Sequence, residues 1–149
     1  MEKKTIYLTK EGKAELDNEL KSRIKEREAI KEKIVTARAF GDLSENEDYS
    51  AARGEQKLNE SRIAELEDIL KIAKVIPSRK HVKAELGAKV QVSINGRKFD
   101  YIILDSIEAN PAEGKISGVS PIGKAILGKK VGEEYTLPNG NKGKIVSIE

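Results

Sequence analysis

The chain turns on residues 37–49, Ala37-Arg38-Ala39-Phe40-Gly41-Asp42-Leu43-Ser44-Glu45-Asn46-Glu47-Asp48-Tyr49, where two long helical patterns meet. Gly41 suits the left-handed conformation that ends a helix, and Ser44 with Glu47 three residues later has the spacing of a capping box that begins another. Upstream, Leu16, Leu20, Ile24, Ile30, Ile34 and Ala37 fall in one stripe, the apolar face of an amphipathic helix. No Pro or Gly interrupts it between Lys13 and Phe40. Thr9 is placed to cap its start, with Glu11 in the first turn where a carboxylate complements the helix dipole. About 30 residues at roughly 1.5 Å each make a rod of about 45 Å.

Downstream, Ala52, Leu58, Ile63, Leu66, Ile69, Leu70 and Ala73 form a second stripe that ends before Pro77, which cannot continue a helix. Two stripes joined by a short polar connection bury each other most simply as an antiparallel coiled-coil hairpin. Its helices are predicted at about 10–40 and 45–75, with the tip at 40–46. Arg23, Arg27 and Lys31 lie on the first helix, and Glu55 and Arg62 on the second. Folding about residue 43 sets Lys31 beside Glu55, a predicted cross-helix ion pair.

At the tip, Asp42 reads as a turn former, Ser44 as the N-cap, and Glu45, Glu47 and Asp48 as first-turn acids. That reading leaves Phe40 and Leu43 unexplained. They are apolar side chains at the end of a thin rod, where little of the chain's own fold can cover them.

Beyond Pro77 the apolar period changes to two. Lys89 to Ile94 alternates, Asn95-Gly96 is a hairpin turn signal, and Lys98 to Asp105 forms the return strand. Further strands are predicted near 115–118, 134–137 and 143–149. Ser120 as N-cap with Pro121 following starts a short helix through Leu127, and Gly128 ends it. The chain is therefore read as an α+β protein of two domains, with a helical hairpin over 1–76 and an antiparallel sheet with one short helix over 77–149.

Composition narrows the functional classes. The 149 residues are 38 % hydrophobic and 36 % charged, with periodic apolar positions, as in a folded chain with generous solvated surface. No apolar run approaches a membrane span and the start lacks a signal-peptide core, so a cytoplasmic location is expected. With no Cys and a single His81, thiolate sites and paired imidazoles are excluded, and carboxylates remain the plausible metal ligands. His81, in a linker-like stretch with Arg79, Lys80 and Lys83, is predicted to be solvent-exposed rather than a ligand. The net charge is only +3, with 16 basic against 17 acidic residues up to Ile76 and 12 against 8 after it, so neither half is a strong polyanion binder.

The ordered run Ala37-Arg38, Gly41-Asp42-Leu43, Glu45-Asn46, Tyr49 and Ala52 resembles the signature of the GreA/GreB family of bacterial transcript cleavage factors. Leu8-Thr9 with Glu11-Gly12 is similar to that family's entry into its first helix, and Arg62 to Glu67 to its returning helix. Gly114 to Ser117, Ser120-Pro121-Ile122-Gly123, Leu127-Gly128-Lys129, Val131-Gly132, and Pro138 with Gly140 follow its last domain in order. The resemblance covers essentially the whole chain.

The resemblance implies an FKBP-like second domain that grips bacterial RNA polymerase at the rim of its secondary channel. It also implies a coiled coil that enters the channel and helps the polymerase cut backtracked RNA. The factor would then be a monomeric stimulator of another enzyme. Carried onto this chain, the catalytic acids are Asp42 and Glu45, which would share a Mg²⁺ with polymerase; no tightly bound cofactor is implied. Arg38 and Arg53 could hold RNA phosphate or be solvated charges. Tyr49 could stack on the RNA 3′ end or pack across the hairpin, and Asn46 could complete the turn. Ser120, Pro121 and Ile122 are docking candidates, or a helix start with Ile122 in the core. Departures are Asp48 where Glu is usual and Phe40 where a polar residue or His is common.

Three other classes stand beside this reading. A prolyl isomerase needs an aromatic-lined pocket, and the second half offers only Phe99, Tyr101 and Tyr135. A stand-alone nuclease lacks ligands beyond the tip. A non-cleaving relative that occupies the same channel and inhibits transcription is the remaining alternative, because Glu47 and Asp48 add acids beside Asp42 and Glu45.

Overall fold

The computed structural model describes residues 5–41 and 46–149. Residues 13–73 form one compact unit, and Lys74–Glu149 with the N-terminal residues through Gly12 form the other.

The first unit is a helical hairpin of α1, Lys10–Arg38, and α2, Glu47–Ile72. Its seam follows a 3.5-residue repeat. In α2 the positions are 49, 52, 56, 59, 63, 66 and 70, and in α1 they are 16, 20, 23, 27, 30, 34 and 37. Ile30, Ile34 and Ala37 are buried in α1 and Ala52, Ile63 and Leu66 in α2, with Tyr49 packed against the cluster nearest the tip. Two residues of the expected stripes are exposed instead: Ile24 is 42 % exposed and Leu58 is 74 % exposed. The supercoil repeat hands those places to the neighbouring polar residues, Arg23 and Asn59.

The middle of the hairpin is consequently held by polar contacts. Asn59 is only 5 % exposed; its Nδ2 donates to the Arg23 carbonyl at 2.9 Å, and Arg23 Nη1 donates back to Asn59 Oδ1 at 3.4 Å. Glu19 accepts from Arg62 Nε and Nη2, both at 2.8 Å, and from Arg23 Nε at 2.8 Å. The Arg62 hydrogen bonds, then those from Arg23, hold the Glu19 carboxyl at about 2 against its usual 4.5. Nearer the tip, Arg27 forks onto Glu60 at 2.7 and 2.9 Å. The partner of Glu55 is Lys33, at 3.3 Å, and not Lys31, because the same repeat turns position 33 toward α2.

The second unit begins with β1, Ile6–Leu8, paired with β2, Ala73–Val75. Thr9 caps α1 as expected: its Oγ1 accepts from Gly12 N at 2.9 Å. The Glu108 carboxylate completes the cap, accepting from Thr9 N at 2.8 Å and from Thr9 Oγ1 at 2.5 Å.

The main sheet contains β3 (Lys89–Ile94), β4 (Arg97–Leu104), β5 (Lys115–Ser117), β6 (Glu134–Thr136) and β7 (Lys142–Ile148), ordered β5-β4-β3-β7-β6. The Asn95-Gly96 turn has positive φ at both residues, which matches the strand twist of a tight hairpin. The sheet is mixed and not wholly antiparallel: β5 runs parallel to β4. The connection from Leu104 to Lys115 winds through two 3₁₀ turns, Ser106–Glu108 and Pro111–Glu113, and that crossover carries the chain back alongside β4.

Inward residues Val90, Val92, Ile103, Ile116, Tyr135 and Ile145 pack with Ile126 of α3, Pro121–Ile126. His81 is not the solvated side chain expected from its basic neighbours. Its side chain is 5 % exposed, and Nδ1 lies 2.7 Å from Glu85 Oε1. The His81 hydrogen bond is the largest influence holding the Glu85 carboxyl below its usual range.

Two outcomes test these contacts. Because Glu19 titrates lower in the folded chain than its ordinary value, its stabilisation is complete above that value and is lost as pH falls through the folded one. Glu19→Gln should lower stability at neutral pH by about 1 kcal/mol. By urea unfolding, the gap from the unsubstituted chain should hold down to about pH 5 and shrink toward about pH 2; a constant gap would contradict the network. In the second unit, a Cβ at Gly123 would run into the Ser117 carbonyl. Gly123→Ala should therefore cost about 2 kcal/mol in the same assay, and a neutral effect would show that α3 can shift away.

Candidate functional site

The hairpin end is built by the last turn of α1 and the first of α2. Ala39 N donates to the Val35 carbonyl at 3.3 Å, Phe40 N to the Ala37 carbonyl at 3.2 Å, and Gly41 N to the Arg38 carbonyl at 3.3 Å. Gly41 has φ 107°, a conformation that ordinary side chains resist, so the helix stops there as the sequence predicts.

The second helix starts later than expected. Asn46, not Ser44, is its N-cap: Oδ1 accepts from Tyr49 N at 3.0 Å, and Glu47 and Asp48 follow as first-turn acids. The amide carries its acceptor and its donor on two separate atoms, whereas a serine hydroxyl accepts and donates from one oxygen set closer to the backbone. Asn46 Nδ2 donates to the Ala37 carbonyl at 2.7 Å, joining the start of α2 to the end of α1.

Of the tip residues singled out in the sequence, Arg38 and Tyr49 are brought together, with the guanidinium carbon 5.9 Å from the ring centroid. Tyr49 is half-buried and also packs on the Ile30, Ile34 and Ala52 cluster. Arg53 is exposed and donates to Gln56 Oε1 at 2.8 Å, one turn along its own helix. Phe40 is 76 % exposed. Asp42, Leu43, Ser44 and Glu45 lie outside the described residues. Among the described residues, no group of three or more His, Cys, Asp or Glu side chains could hold a metal ion.

In the sheet unit, Ser120 Oγ donates to the Ser117 carbonyl at 2.6 Å and accepts from Gly123 N at 3.1 Å, so it caps α3. Pro121 is exposed, and Ile122 is half-buried against the core. These three border an apolar depression completed by Tyr101, Pro111, Leu137 and Pro138. Of the three aromatics in this half, Tyr101 alone lines it; Phe99 stacks on Tyr101 at 6.3 Å and Tyr135 is buried in the core.

Sequence reasoning missed Asn59, Glu19 and Glu108. The heptad spacing of Tyr49, Ala52, Gln56, Asn59, Ile63 and Leu66 was the available signal for Asn59. Glu108 carried none, since its partner Thr9 is remote in sequence.

Among the described residues, no helix is long and apolar enough to cross a membrane. Residues 6–75 match the family described as "Transcription elongation factor, N-terminal", and residues 79–149 the family described as "Transcription elongation factor, GreA/GreB, C-term". The chain is 41 % identical to transcription elongation factor GreA of Bacillus cereus, covering 98 % of both chains. It is 48 % identical to transcription elongation factor GreA of Thermoanaerobacter pseudethanolicus, covering 90 % of this chain and 88 % of that one. A solved structure of the transcription factor Gfh1 is 28 % identical, covers 99 % of both chains and superposes with a TM-score of 0.50, which supports the α+β fold. Matched in both halves and in the same order, the chain belongs to the GreA/GreB family of transcription elongation factors.

Proposed function

We propose that this elongation factor inserts its hairpin into the secondary channel of bacterial RNA polymerase and stimulates the polymerase to cut backtracked nascent RNA, which releases arrested complexes. It acts in the cytoplasm as a monomeric accessory factor and not as a nuclease in its own right. The observation that carries the reading is the braced hairpin end. Gly41 stops α1, Asn46 ties α2 back onto Ala37, and between these fixed points the sequence places Asp42 and Glu45. Phe40 beside them is exposed apolar surface at the end of a rod, which suits burial in a partner.

Hydrolysis of a phosphodiester needs a water that loses a proton as it attacks and a ribose oxygen that leaves. Mg²⁺ shared with polymerase would supply charge stabilisation for those oxygens. The donor chemistry fits: carboxylate oxygens are hard ligands, and two of them leave most of the coordination to polymerase, RNA and water. Asp42 and Glu45 would hold and orient the attacking water. Arg38, kept over the Tyr49 ring, and exposed Arg53 would attract the RNA phosphates. The Ser120-Pro121-Ile122 turn and the apolar depression beside it would grip the channel rim.

The inhibitory alternative is retained for one reason: the first turn of α2 carries Glu47 and Asp48 as additional exposed acids. Adding the protein to a backtracked elongation complex decides between the two. Short 3′ RNA fragments and resumed elongation are expected, with cleavage abolished by Asp42→Ala and Glu45→Ala while competition for the channel persists. Binding without fragments would assign the chain to the inhibitors, and full cleavage by the doubly substituted protein would remove the acids from the mechanism.

A further inference from the structure

Ala84 stitches two surface segments of the sheet unit together. Its N donates to the Lys129 carbonyl at 2.8 Å, and its carbonyl accepts from Gly128 N at 2.7 Å, which ties the stretch 79–85 to the loop that follows α3. The Ala84 side chain itself is buried in the sheet core. The aliphatic side chains around the stitch are left outside: Val82 is 78 % exposed, Val131 57 % and Leu127 49 %. Leu127 lies over Gly118, where a Cβ would stand 4.0 Å from its Cδ1, and Val119, next in the chain, is exposed as well. Single apolar residues scattered over a surface are normal, whereas a gathered set marks a place of interaction.

The same two segments concentrate charge of one sign. Residues 79–85 and 124–133 hold Arg79, Lys80, Lys83, Lys124, Lys129 and Lys130, half of the basic residues after Ile76, but only Glu85 and Glu133 of the acids. Glu85 is engaged by Arg79 and His81, and Glu133 accepts from Lys130 N. Among the described residues, no salt bridge takes Lys80, Lys83, Lys129 or Lys130.

We infer that Val82 and Lys83 with Leu127 to Val131 form a second docking surface, and that it takes an acidic segment of the polymerase with an apolar face. The inference rests on the docking reading above and extends it. Val119 makes the surface continuous with the Ser120-Pro121-Ile122 turn, whereas Val82, Leu127 and Val131 stand apart from the apolar depression. An apolar centre with a charged rim is the anatomy of a protein interface, and the lysine rim selects carboxylates. Nucleic acid fits less well, because phosphates would engage the lysines and leave the aliphatic side chains uncovered. A second copy also fits less well, since a two-fold contact sets the same lysines against each other.

The test uses two pairs of substitutions in the full-length factor, Val82→Ser with Val131→Ser and Lys83→Glu with Lys130→Glu. All four side chains are exposed. Urea unfolding checks that each pair leaves the fold intact, and if one does not, the other decides. Binding is measured to bacterial core RNA polymerase free of nucleic acid and to a backtracked elongation complex, over a range of salt concentrations. Each pair should raise Kd about tenfold on both targets. The lysine pair should also flatten the salt dependence, and the maximal cleavage rate at saturating factor should be unchanged for both.

An unchanged Kd in an intact variant would overturn the inference. Weakening seen on the elongation complex but absent on core polymerase would also overturn it, by assigning the lysines to nucleic acid. A dimer of the free factor that the serine pair abolishes would give the surface to a second copy instead. If the unsubstituted chain does not bind polymerase, the docking reading fails and takes the inference with it. If it binds, the two pairs weaken it and no RNA is cut, the inference stands and the cleavage reading alone fails.

Discussion

The hairpin depends on its register, and the register is fixed by the polar layer of Glu19, Arg23, Asn59 and Arg62. An apolar seam of Ile, Leu and Ala tolerates a slip by one heptad, because one aliphatic side chain substitutes for another. A buried amide does not, since a slip would leave Asn59 facing apolar groups with its hydrogen bonds unmade. Arg23 meets it from α1, and Glu19 ties Arg23 to Arg62. Asn46 reaches Ala37 in that same register, several turns nearer the end. The middle of the rod thus determines what its tip can be.

Much of this was legible in residues 37–49 and the stripes beside them. The hairpin, the Gly41 stop, the Thr9 cap, the Asn95-Gly96 turn and the Ser120-Pro121 helix start each follow from local chemistry that a sequence displays directly. Most of the errors share a cause, which is that interactions remote in sequence overrode a local pattern; His81 is the exception. Ile24 and Leu58 fit a straight-helix stripe, but the supercoiled seam runs at 3.5 and selects Arg23 and Asn59. Lys31 lost Glu55 to Lys33 by the same rotation. Ser44 had capping-box spacing, yet Asn46 could satisfy two helices at once. His81 sat among basic residues and turned inward because Glu85, four residues on, offers a carboxylate. The parallel β4–β5 pair arises from a crossover that alternation cannot reveal.

The candidate site was legible to a different degree. Arg38, Asn46 and Tyr49 could be picked out by their place in the motif, and the structure supplies the contacts that relate them. Asp42 and Glu45 fall outside the described residues, so their part rests on the motif and on their place in the sequence between Gly41 and Asn46. The sheet unit is self-sufficient in its core. Pro121 at the start of α3 is exposed beside the apolar depression, while Ile122 packs on the core.

The central claim is that the end of the hairpin is placed against the reactive end of the transcript. A photo-crosslinker at position 40, in place of the exposed Phe40 and in the full-length factor bound to a backtracked elongation complex, tests this most directly. The account predicts crosslinks to the extruded 3′ segment of the RNA, lost when the transcript is trimmed back into register. Crosslinks confined to the outer surface of the polymerase, or unaffected by backtracking, would contradict it.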